Sequence, residues 1–304
     1  MTGMTGPGHA TGAEAGGQDA TVESGTLDVT VERDITYATV DGTELRLDVY
    51  RPAEPGSPVV LYAHGGGWTR GGRGTDGATR LAPLAAHGVT VVSADYRLAP
   101  GAAFPQQVYD LKGAVRWLRA NGARLGLATG RLGVWGASAG AYLGSLLALS
   151  AGEDALEGAV GGNLGQSSAV QAVVHWFGQT DLVASASRSE VEARLLPFHF
   201  EADLLGTADP AELAERARGF GLPARVSPGA PPFLIAHGDR DRLVPPSQGL
   251  ALHDALVRTG ARSRFELLGG AGHEDAEFDS PATLAYTAAW LRAVLRAGAS
   301  PGRD

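Results

Sequence analysis

The chain contains no cysteine. That absence excludes disulfide scaffolds, thiolate zinc sites, iron–sulfur clusters and a cysteine nucleophile. Lysine is almost missing too: Lys112 stands alone, so arginine carries nearly all the positive charge. No basic block occurs, and the net charge of the 304 residues is −8. A nucleic-acid partner, whose phosphates demand a basic face, is not expected. The start, Met1-Thr2-Gly3, has neither a basic nor an apolar signal region, which predicts a cytoplasmic protein. One stretch, residues 132–151, lacks charge altogether, yet its four glycines and three serines suit a strand followed by a helix better than a membrane span. No membrane partner is expected either.

What is present is apolar and rich in glycine. A hydrophobic fraction of 44% is ample for a core, and 44 glycines with 17 prolines stay below the share, about 25–30%, that marks low-complexity chains. Residues 1–25 show no apolar periodicity and read as a disordered tail. From about 26 to 300 the pattern is that of one α/β domain. Leu27, Val29 and Val31 alternate with polar residues, and so does the run from Glu44 to Tyr50 after the Asp41-Gly42 dipeptide, which predicts a hairpin. Runs at 59–63, 89–93, 132–135, 170–176 and 233–236 are continuously apolar, as strands covered on both faces are. Helical patterns at 77–87, 106–120, 139–150, 246–259 and 281–297 separate them. The expected fold is a mostly parallel twisted sheet flanked by helices. Residues 181–228 interrupt the alternation and are expected to form a small helical cap over the C-terminal edge of the sheet.

The chemistry-bearing motifs fall where predicted strands end. Gly136-Ala137-Ser138-Ala139-Gly140 joins a strand to a helix. A serine on so sharp a turn needs small neighbours, and its hydroxyl is left open. Chance alone supplies this pattern about 0.3 times in a chain so rich in glycine, so the strand-to-helix context decides in its favour. His64-Gly65-Gly66-Gly67-Trp68 follows another strand. Its glycines allow successive N–H groups to converge, as an oxyanion hole requires, and Gly66, Gly67 and Ala139 are the expected donors. His64 is expected to brace this loop. His237-Gly238-Asp239-Arg240-Asp241 supplies an acid at the end of a third strand, either Asp239 or Asp241. Gly272-His273 supplies a base after the last.

These motifs, with Asp95-Tyr96-Arg97-Leu98-Ala99-Pro100 and Phe104-Pro105, make residues 27–297 resemble an α/β-hydrolase. The chain is most similar to bacterial carboxylesterases related to hormone-sensitive lipase and to the feruloyl/acetyl esterase-like group. The family pattern HG-x-x-D-x-x-VP matches with Asp241 as the acid, so the resemblance implies a triad of Ser138, Asp241 and His273. Departures are GASAGA in place of GDSAGG, HGDRDRLVP in place of D-P-L-x-D, and an N-terminus without an apolar helical face. All three point to the feruloyl/acetyl esterase-like side.

The implied activity is hydrolysis of small to medium acyl or aryl esters through an acyl-enzyme, with no metal or cofactor and a small-molecule ester as partner. Trp68, Trp176, Phe198 and Phe200 are the candidate walls of the substrate pocket. Amidase, formamidase or peptidase chemistry with the same triad, biosynthetic acyl transfer or cyclisation, and ligand binding without catalysis are the competing readings. Monomer and homodimer are both open.

Overall fold

The computed structural model describes residues 22–24, 28–187 and 199–297. The expectations for the tail up to residue 21, for Phe198 and for part of the cap therefore lie outside the described residues.

Nine strands form one sheet: β1 Val22–Ser24, β2 Val29–Val40, β3 Thr43–Pro52, β4 Pro58–Ala63, β5 Thr90–Ala94, β6 Ala128–Ala137, β7 Ala172–Trp176, β8 Phe233–Gly238 and β9 Ser263–Leu268. Their order is β1-β2-β3-β5-β4-β6-β7-β8-β9. Pairs among the first three strands, and β3 with β5, run antiparallel; from β5 to β9 the sheet is parallel. The turn between β2 and β3 consists of Asp41 and Gly42, both at positive φ (49° and 79°), the backbone twist that a two-residue hairpin requires. β1 lies inside the stretch expected to be disordered. Its pairing is a backbone ladder on an edge strand, which needs no apolar periodicity to form.

The principal helices are α1 Gln106–Asn121, α2 Ala139–Leu149, α3 Phe200–Leu205, α4 Pro210–Arg216, α5 Ser247–Arg258 and α6 Pro281–Arg296. A helical turn at Gly77–Leu81 continues into Ala82–Ala85. Within β4 the side chains alternate between two cores. Val59, Leu61 and Ala63 join Leu111, Val115, Leu143 and Leu147 of α1 and α2. Val60 and Tyr62 join Leu81, Leu84, Leu284 and Leu291 on the opposite face. Both faces are covered, so the strand is apolar at every position.

The strand order places β4 between β5 and β6, the point where the direction of winding reverses. In open α/β sheets ligands bind outside the C-terminal ends of the strands at such a point. The segments that leave those ends here are the His64 loop after β4 and the Ser138 turn after β6. Between β7 and β8 the described residues form short helices, α3 and α4 among them, with single turns at Leu182–Ala186 and Leu222–Arg225. Among the described residues, no helix is long and apolar enough to cross a membrane.

Candidate active site

Ser138 caps the N-terminus of α2 with φ 51° and ψ −121°, a conformation that a serine adopts only when its surroundings impose it. The imposition is steric. A Cβ at Gly136 would lie well inside 3.0 Å of the Gly140 carbonyl, and one at Gly140 equally close to the carbonyl of Ala63 on the neighbouring strand. Glycine at both positions lets the helix start almost in contact with β4. The Ser138 amide donates to the Trp176 carbonyl at 2.9 Å, which anchors the turn to β7.

The Ser138 hydroxyl lies 2.9 Å from Nε2 of His273, and Nδ1 of the same ring lies 2.7 Å from Oδ2 of Asp241. A carboxylate only accepts, so Nδ1 carries the proton and Nε2 offers its lone pair to the hydroxyl. The other carboxylate oxygen of Asp241 accepts the amides of Leu243 and Val244, each at 2.9 Å. Burial pushes the Asp241 carboxyl up. Hydrogen bonds from His237 and His273, the His273 charge and the Val244 amide outweigh it and hold the group below its ordinary value. Asp239 turns elsewhere: it accepts the Gly270 amide at 2.7 Å and ties two turns together. Phe177 stands edge-on to the His273 ring, with centroids 5.0 Å apart, and is fully buried behind it.

Opposite the serine, Gly66, Gly67 and Trp68 all take positive φ (111°, 59° and 62°). A Cβ on Gly66 would strike the Arg70 carbonyl, and one on Gly67 the ring of Phe200. Gly66, Gly67, Ser138 and His273 line a cavity of 280 Å³ whose walls include Arg70, Phe200, Leu243 and Glu274. The Arg70 guanidinium stands 5.8 Å over the Phe200 ring. Ala139 opens α2, so its N–H has no acceptor within the helix. His64 is buried and stacks on Tyr96 with ring centroids 4.2 Å apart, and its Nδ1 donates to the Gly65 carbonyl at 2.7 Å. Burial lowers its pKa, and the ring braces the loop.

Two of the expected pocket walls belong elsewhere. Trp68 is fully buried, its indole N–H donating to the Ala139 carbonyl at 3.0 Å, so it pins the glycine loop to the start of α2. Trp176 is also fully buried, among Trp135, Phe177 and Phe278 on the opposite core. An aromatic at a strand end does not reveal from sequence which face it occupies. Phe200 does line the cavity; Phe198 lies outside the described residues.

Arg80 received no role from the sequence. Its side chain is 1% exposed; it pairs with Asp279 at 2.6 Å, Asp76 at 3.1 Å and Glu274 at 3.4 Å, and donates to the Tyr62 hydroxyl. Burial alone would lower its pKa, but the Tyr62 hydroxyl and the carboxylates of Asp279 and Asp76 push it up instead. The guanidinium thus holds the His273 loop at two points that follow the histidine, 274 and 279. Only the Asp76/Arg80 spacing of four on a helical turn could have hinted at this, because Asp279 is 199 residues away in sequence. Among the described residues, no three His, Asp or Glu side chains converge as a metal site requires.

A mostly parallel sheet flanked by helices, with Ser138 on a sharp turn after one strand, a glycine loop after its neighbour, and Asp241 and His273 after two later strands, is the arrangement of an α/β-hydrolase fold. The BD-FAE family model matches residues 47–256, and the chain belongs to that family. It is 35% identical over 234 residues to Esterase LipC of Mycobacterium tuberculosis, covering 75% of this chain and 56% of LipC. To Esterase LipQ of the same organism it is 32% identical over 258 residues, covering 83% of this chain and 58% of LipQ. The chain thus spans less than two thirds of the length of either relative. Among solved structures, a truncated form of a carbohydrate esterase from gut microbiota superposes with a TM-score of 0.78 at 25% identity, covering 88% of this chain and 97% of that one.

Proposed function

We propose that this chain is a serine carboxylesterase that hydrolyses small to medium acyl or aryl esters. The observation that carries the reading is the hydrogen-bonded run from Ser138 through His273 to Asp241, opening onto a cavity rimmed by Gly66 and Gly67. The esterase names of LipC and LipQ support the same chemistry.

Ser138 attacks the ester carbonyl while His273 takes its proton. Asp241 holds the imidazole in the Nδ1–H tautomer and stabilises the imidazolium that forms. The N–H groups of Gly66, Gly67 and Ala139 receive the developing oxyanion, and loss of one such donor typically lowers kcat about 10²–10³-fold. His273 then protonates the leaving alcohol. Water, deprotonated by the same ring, releases the acid from the acyl-enzyme. Trp68 fastens the glycine loop to α2, and so keeps the donor groups on both sides of the oxyanion in register.

The test is Ser138→Ala assayed with p-nitrophenyl acetate. Turnover should fall by about 10⁴-fold or more with an unchanged melting temperature. Turnover close to wild type would end the assignment.

A further inference from the structure

The acid of the proposed triad rests against a second, fully buried histidine for which the mechanism has no use. Nε2 of His237 lies 2.8 Å from the Val244 carbonyl and 3.4 Å from Oδ2 of Asp241, the oxygen that also faces His273. A carbonyl only accepts, so Nε2 carries the hydrogen and shares it between the two oxygens. Nδ1 of the same ring is buried without a partner, and Gly249 leaves the room it occupies: a Cβ there would lie 3.0 Å from it. The turn is therefore held from both directions. The Val244 amide donates to Oδ1 of Asp241, while the Val244 carbonyl accepts from His237. Removing the ring would leave a carbonyl and a carboxylate oxygen short of a donor in a site closed to water, where an unmet acceptor is costly.

We infer that His237 is a positioning residue for the proposed ester hydrolysis, its Nε2–H fixing the Asp241 carboxylate in the orientation that His273 requires. The inference rests on the triad reading, but each fails differently. Failure of the triad appears as turnover by Ser138→Ala; failure of this inference appears in the comparison that follows.

Glutamine places its amide nitrogen near the Nε2 position of a histidine, and asparagine places its own near Nδ1. In the full chain with p-nitrophenyl acetate, His237→Asn should lower kcat about 10- to 100-fold, the size expected from one lost hydrogen bond to a charged group, with KM changed by less than about twofold. His237→Gln should recover kcat to within about threefold of wild type, since the donor is restored. Equal kcat losses in the two variants would overturn the inference. So would wild-type kcat in both with only a lower melting temperature. If neither variant folds, ¹⁵N-histidine spectra of the wild-type protein at pH 8 decide the matter. His237 should show the Nε2–H tautomer, and an Nδ1–H tautomer would overturn the inference.

Discussion

The two sides of the cavity are built by different means. On one side Ser138, His273 and Asp241 stand on turns that leave sheet strands directly, and every backing group is buried: Trp176 and Phe177 behind, Arg80 across the His273 loop, His237 beneath the acid. On the other side the wall comes from the helical insert between β7 and β8. Phe200 at the start of α3 lies over Gly67, with the exposed Arg70 against its ring. The first side is determined by close contacts between backbones and by ion pairs that reach across the chain. The second depends on a side-chain contact from an insert. Both sides are buried, but Ser138 is fixed by backbone against backbone, whereas Phe200, itself part of the main core, meets Gly67 through its ring alone.

Filling the contact under the serine should disturb the first side most. Gly140→Ala places a Cβ against the Ala63 carbonyl, where neither backbone can yield. It should lower stability by about 3 kcal/mol and abolish soluble activity, read as a fall in melting temperature and yield. A variant with normal stability would show that the helix start is looser than the geometry implies.

A second test concerns the buried polar groups behind that side. His175 on β7 donates from Nε2 to the Gly178 carbonyl and accepts from Ser145, and burial, with a smaller push from His237, lowers its pKa to about 4. The unfolded chain, with an ordinary value near 6.5, takes up a proton that the folded chain refuses. The stabilisation is complete above pH 6.5 and is lost as pH falls toward 4, about 3 kcal/mol at most. Melting temperatures between pH 7 and pH 4.5 should therefore fall less in His175→Gln than in wild type. Parallel curves would remove His175 from the account.

The smallest expected effect is on the other side. Phe200→Leu shortens the ring that covers Gly67, and it should raise kcat/KM for a hexanoyl ester relative to an acetyl ester by about tenfold, a difference of about 1.4 kcal/mol in the barrier. An unchanged ratio accompanied by a large drop in melting temperature would make Phe200 a packing residue only.

Much of the first side's geometry was legible in the sequence, because a sharp strand-to-helix turn and a tight glycine loop admit few residue types. Glycine at 136 and 140 and the glycine run at 65–67 follow from sterics, whereas Asp241 and His273 were singled out by resemblance to the family pattern, since chemistry alone sets no chain order. The strands β4 to β8 were legible for a related reason: two covered faces leave no polar alternation. What escaped depended on tertiary partners. Arg80 looks like any helical arginine until Asp279 and Glu274 are brought to it. Trp68 and Trp176 carry no mark of the face they occupy, and β1 pairs through backbone groups that composition does not reveal. His237 lies within the motif that supplied Asp241, yet nothing in the motif says that its ring turns back onto the carboxylate.

The proposed chemistry requires Ser138 to be a nucleophile activated by His273. Its most direct test is treatment of the full chain with a fluorophosphonate, followed by intact-mass and peptide mass spectrometry. One adduct per chain is expected, located on Ser138 and strongly slowed by His273→Ala. No adduct, or an adduct elsewhere in the chain, would contradict it.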